Sequence, residues 1–112
     1  MTGNKQLNEP VVITEIETYC YLIIRGKPTA VVSIQNRYAS KAIKKIISYK
    51  LKAYFKKVND DWGELWIYKD DYMFEVIKSL PDKPKTIYEH WILGKVFGYS
   101  EEAIKKFVSK LF

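Results

Sequence analysis

Around Ala39 the apolar pattern changes period, and no other feature limits the fold of this chain as tightly. Ala39, Ala42, Ile43, Ile46 and Ile47 recur three and four residues apart, with Lys41, Lys44, Lys45 and Ser48 between them. That spacing predicts an amphipathic helix of about three turns. Immediately afterwards the period falls to two: LKAYFKKV and ELWIYK alternate on either side of NDDWG, which predicts a β-hairpin. The alternation sorts Leu51, Ala53, Phe55, Leu65 and Ile67 to one face and Lys50, Lys52, Tyr54, Lys56, Trp66 and Tyr68 to the other. Helical and strand periods side by side in so short a chain exclude all-α and all-β architectures.

Upstream, VVITEIETYCYLIIR is rich in β-branched and aromatic residues, and RGKP supplies turn residues before TAVVSIQN. A first hairpin is the expectation. Tyr19, Tyr21 and Ile23 would fall on one side of its leading strand and Cys20, Leu22 and Ile24 on the other, so that strand would be covered on both faces. Residues 1–9 read as a flexible leader.

Downstream, Asp70 or Asp71 caps a helix with Tyr72, Met73, Val76, Ile77 and Leu80 on its apolar face, and Pro81 and Pro84 end it. Thr86 and Glu89 form a T-x-x-E capping box before IYEHWILGKVF, a helix apolar nearly all round and expected to be deeply buried. Gly98 suits a left-handed stop, and Ser100 caps a last helix expected to bury Ala103, Ile104, Phe107, Val108 and Leu111. The order is therefore ββ-α-ββ-α-α-α. It describes an α+β fold in which two β-hairpins form an antiparallel sheet packed with an amphipathic helix and three C-terminal helices, as a single domain over residues 1–112.

Charge is unevenly spread. From Thr18 to Asn59 there are ten basic residues and no acid, whereas the whole chain carries only +6. Such a segment suggests a polyanion, either nucleic acid or an acidic protein surface. Against base-specific reading stands the composition of the positive charge, seventeen Lys to two Arg, because Arg is the better bidentate reader of bases. Cys20 has no second cysteine to pair with, and with only His90 beside it cannot build a four-ligand zinc site, so no metal or cofactor is expected and a reducing, cytoplasmic setting fits. No apolar run approaches the roughly 18 to 20 residues of a membrane span.

Catalytic patterns are weak. His90 is accompanied by no nucleophile motif, and the acid pairs Asp60-Asp61, Asp70-Asp71 and Glu101-Glu102 fall at a hairpin turn and two helix starts. PDKPK around Asp82 lacks the E-x-K that would complete a nuclease motif. VFGYSEEAI is similar over about ten residues to the glycine-aromatic loop and second helix of ubiquitin-associated domains, too short a stretch to carry a fold. His90 and Gly94 share a helix face, and a helical glycine costs about 1 kcal/mol relative to alanine, so something approaches that notch closely: a neighbouring element or a small ligand.

The leading site expectation is the hairpin face. Tyr54, Trp66 and Tyr68 among Lys50, Lys52 and Lys56 have the composition of a single-stranded nucleic-acid platform, where rings stack on bases and lysines meet phosphates. The expected function is a small, basic, non-enzymatic module binding nucleic acid with little sequence preference. The alternative is a protein-interaction module, such as a phage or mobile-element accessory or inhibitor protein. Exposure of Trp66, Tyr68 and Tyr54 separates the two, since rings buried beneath the C-terminal helices cannot stack on bases.

Overall fold

The leading apolar segment is a helix. In the computed structural model, which describes residues 9–112, α1 runs Glu9–Ile24 and buries Val12, Ile16, Cys20 and Ile23 along one line. The expected first hairpin is thus corrected to a helix followed by a single strand, β1 (Thr29–Gln35). The leader expected over residues 1–9 lies outside the described residues except for Glu9, which opens α1.

The physical reason lies in what the turn residues do. Gly26 has φ of 122°, and the Lys27 N–H donates to the Leu22 carbonyl at 3.0 Å, a left-handed helix stop, with Pro28 just beyond. RGKP ends a helix instead of reversing a strand. The β-branched content is tolerated because burial spaced four, four and three residues apart gives α1 an inner face. The Thr14 and Thr18 hydroxyls donate to the carbonyls four residues back, at 2.8 and 3.0 Å.

After a short 3₁₀ turn at Asn36–Tyr38 come α2 (Ala39–Ser48), β2 (Lys52–Lys57) and β3 (Trp62–Tyr68), as the change of period predicts. Then follow α3 (Asp71–Ser79), α4 (Ile87–Val96) and α5 (Glu101–Leu111). The architecture is α+β, with a three-stranded antiparallel sheet in the order β1-β3-β2. Register runs Thr29↔Tyr68 to Gln35↔Trp62 on one side of β3 and Lys52↔Tyr68 to Lys57↔Gly63 on the other.

Register and pleat place Ala30-Ile67-Ala53 and Val32-Leu65-Phe55 as rows on one face, and Thr29-Tyr68-Lys52, Val31-Trp66-Tyr54 and Ser33-Glu64-Lys56 on the other. The first face packs on α1 and α2 in a core that includes Ile16, Cys20, Ile34, Ala42, Ile46, Leu65 and Ile67. The second face carries a separate cluster of Trp66, Tyr68, Ile77 and Val96, with α3 and α4 laid over it. Helices therefore cover both faces of the sheet.

Turn chemistry secures the β2–β3 hairpin: the Asn59 side-chain oxygen accepts from the N–H groups of Asp61 and Trp62, at 2.9 and 2.8 Å. Phe55 lies across Gly63, where an added Cβ would stand 2.4 Å from the ring.

Candidate functional site

Of the six residues expected on one hairpin face, the structure keeps five there, all but Lys50, and lays α3 and α4 over that face. Trp66 and Tyr68 are 8% and 6% exposed, beneath α3 and α4. Trp66 stacks on Phe97 with centroids 5.7 Å apart, and Tyr68 on Phe74 at 6.1 Å. Burial raises the Tyr68 hydroxyl above its ordinary pKa. Tyr54 is half-buried and meets Phe74 edge-on at 5.3 Å. Two of the three rings are thus interior surface and cannot stack on bases.

The lysines are divided as well. Lys52 pairs with Asp71 at the start of α3, and Lys56 with Asp82 at 2.9 Å, which holds the Lys56 ammonium above its ordinary pKa. Lys50 is not in the strand. It has φ of 61° and ends α2, with the Leu51 N–H donating to the Ile46 carbonyl at 3.3 Å. On α2, Lys41 and Lys45 pair with Glu9 and Glu17 of α1, at 2.5 and 3.2 Å. The acid-free segment of sequence is supplied with carboxylates from elsewhere in the fold.

Tyr54, Lys56 and Trp66 do share a cleft of about 670 Å³ with Glu64, Asp82 and Phe97, between the sheet and the α3–α4 connection. Its walls carry both signs of charge, and a polyanion entering it would meet the Glu64 and Asp82 carboxylates as well as lysines.

The His90–Gly94 notch lies on the other side of α4, where α5 packs closely on the glycine: an added Cβ on Gly94 would stand 2.7 Å from Cγ1 of Ile104, while both residues line a groove between the two helices. His90 sits between the rings of Phe107 and Phe112, at 5.6 and 5.9 Å. Tight helix packing accounts for the glycine.

What the sequence reading missed is how much apolar surface this helix pair leaves exposed around that notch. α4 was expected to be deeply buried, but Val96 alone of its residues is so, because the sheet and α3 cover one flank, α5 covers another, and no further element among the described residues reaches the rest. Of the five α5 residues expected inside, Ile104 is buried and Val108 half-buried, while Ala103, Phe107 and Leu111 are exposed. Ile87, Tyr88, Tyr99 and Phe107 are each more than half exposed, and Tyr99 and Phe107 line a groove of about 460 Å³ together with His90, Leu93 and Gly94. One signal pointed there: a helix apolar on every side needs cover on every side, and only short elements remained to supply it.

Local bonds fix where α4 and α5 sit. Thr86 and Glu89 form the predicted capping box, and the Ser100 hydroxyl accepts from the Ala103 N–H at 3.1 Å. At the far end of α4, the Thr29 hydroxyl donates to the Val96 carbonyl at 2.9 Å and the Lys27 ammonium to the Phe97 carbonyl at 2.5 Å. A cation at a helix C-terminus is favourably placed, although burial lowers the Lys27 pKa. Gly98, with φ of 84°, lets the chain turn against Pro28.

Among the described residues no cluster of three or more His, Cys, Asp or Glu could hold a metal ion, and no helix is long and apolar enough to cross a membrane. No protein-family model matches the chain, and neither a curated protein nor a solved structure shows significant similarity to it.

Proposed function

We propose that this chain is a non-enzymatic interaction module that docks an acidic protein partner through the outer face of α4 and α5. The observation that carries the reading is an apolar groove between α4 and α5 on which Tyr99 and Phe107 are exposed, with Ile87 and Tyr88 exposed elsewhere on α4, while the hairpin rings are covered. Contiguous exposed apolar and aromatic surface is characteristic of protein-binding sites, and Tyr is a favoured anchor there. Charge selects the partner: residues 83–112 hold six Lys against three Glu, within a chain of net charge +6. An amphipathic helix with acidic flanks fits such a groove, its apolar side on Tyr99 and Phe107. A docking role of this kind suits an accessory or inhibitor protein.

Binding of a synthetic amphipathic peptide, with Leu and Phe on one side and Glu on the other, tests the reading by fluorescence polarisation. Phe107→Asp should weaken binding by at least about 10-fold, the size expected for an interface anchor. Equal affinity in the variant, or no binding by either protein, contradicts the proposal. A mixed-sequence oligonucleotide that saturates the protein at about 50 mM salt, and loses affinity on Lys52→Ala and Lys56→Ala, would favour the nucleic-acid reading instead.

A further inference from the structure

The two edges of the sheet are built differently. β2 presents Lys52, Lys56 and Lys57, all exposed, and charge along an edge discourages strand addition. β1, TAVVSIQ, has no charged residue and no proline, and among the described residues β3 is its one strand partner.

Hydrogen-bond direction shows which groups of β1 are open. The Asn36 N–H donates to the Asp61 carbonyl at 2.8 Å, and the Val58 N–H to the Trp62 carbonyl at 3.0 Å. In an antiparallel ladder the direction alternates residue by residue, so Gly63, Leu65 and Ile67 address β1 while Glu64, Trp66 and Tyr68 address β2. Their register partners Ile34, Val32 and Ala30 are committed to β3. The N–H and C=O groups of Val31, Ser33 and Gln35 therefore point away from the sheet. At the Thr29 end the C-terminus of α4 packs on the strand, with the Thr29 hydroxyl donating to the Val96 carbonyl. The open window runs from Val31 to Gln35.

α1 flanks that window. Its Glu9 and Glu17 side meets α2, and α1 lies over β1 and β3 while α2 lies over β2. At 3.6 residues per turn, Val11, Glu15 and Leu22 fall on the opposite flank, and Val11 and Leu22 are each 41% exposed.

We propose that the β1 edge pairs with the β1 edge of a second copy of this chain, across a two-fold axis at Ser33, to form one continuous antiparallel sheet. In that register each outward-pointing residue meets another: Ser33 faces Ser33 of the second copy and Val31 faces its Gln35. The window is self-complementary and carries no charge to repel its own image. This surface is separate from the α4–α5 face, and either proposal stands or falls without the other.

Sedimentation velocity of the full chain from about 1 to 500 μM should show a concentration-dependent dimer. Ser33→Lys sets like charges opposite each other at the axis, and Ser33→Pro deletes an outward N–H while sparing the bonds to β3. Both variants should be monomeric over the same range with unchanged far-UV circular dichroism. A monomeric wild type overturns the proposal, as does a dimer that survives both substitutions. So does a monomer that captures a synthetic TAVVSIQ peptide, which would assign the edge to a foreign strand. Should either variant fail to fold, amide exchange in the wild type decides: protection at Val31, Ser33 and Gln35 must rise with protein concentration, and constant protection there rejects the dimer.

Discussion

Several single residues here are explained by what lies against them. Gly94 is in a helix because Ile104 occupies the space of its side chain. Gly94→Ala gains about 1 kcal/mol of helix propensity but overpacks the α4–α5 contact at a cost of about 1–3 kcal/mol. The expected result is a lower urea midpoint, and a smaller loss when the same change is made in an Ile104→Ala background, where the clash is gone. Cys20 is fully buried, and burial pushes its thiol up to about 11. A thiol reagent at neutral pH should therefore react with it only as fast as the protein opens, with labelling accelerating sharply through the urea transition. Glu17 accepts hydrogen bonds from Lys45 and from Tyr49, the latter at 3.0 Å, and these hold its carboxyl below the ordinary 4.5. A lowered folded pKa contributes stability above pH 4.5 that is lost as pH falls through the folded value. Glu17→Gln should accordingly lower the thermal midpoint at about pH 7, by a margin that shrinks as pH falls below 4.5 and through the folded value.

At the level of elements, what could be read from the sequence was what is decided locally. The helix from Ala39, the β2–β3 hairpin with its two faces, the Thr86–Glu89 box and the Ser100 cap all have their causes within a few residues of themselves. α1 did not. Tyr19 to Ile24 are apolar on both sides of a two-residue period, so alternation cannot identify an outer face, and the β-branched content favours a strand. What decides for a helix is distant: Val12, Ile16, Cys20 and Ile23 bury together against Ile34, Ala42 and Leu65. A peptide of residues 9–24 cut from that context should show little helical circular dichroism in water, because tertiary packing holds the helix and sixteen β-branched-rich residues do not nucleate well alone. A strongly helical peptide would show instead that local propensity suffices.

For the molecule as a whole, the candidate site turned on a question of coverage. Tyr54, Trp66 and Tyr68 were correctly placed on one face of the hairpin, but whether that face was outside or inside depended on where α3 and α4 lay, which no local spacing encodes. The same folding step determines both sides of the answer. Placing α3 and α4 over the sheet converts a ring-and-lysine surface into a second core, and leaves the surplus apolar residues of α4 and α5 facing outward. Hydroxyl-radical footprinting of the free protein, read by mass spectrometry, tests this inversion without any partner. Tyr88, Tyr99 and Phe107 should be oxidised rapidly, while Trp66 and Tyr68 stay protected until the chain unfolds, despite the high intrinsic reactivity of indole. Oxidation of Trp66 and Tyr68 as fast as Tyr88 would put the rings back on the surface and contradict the account.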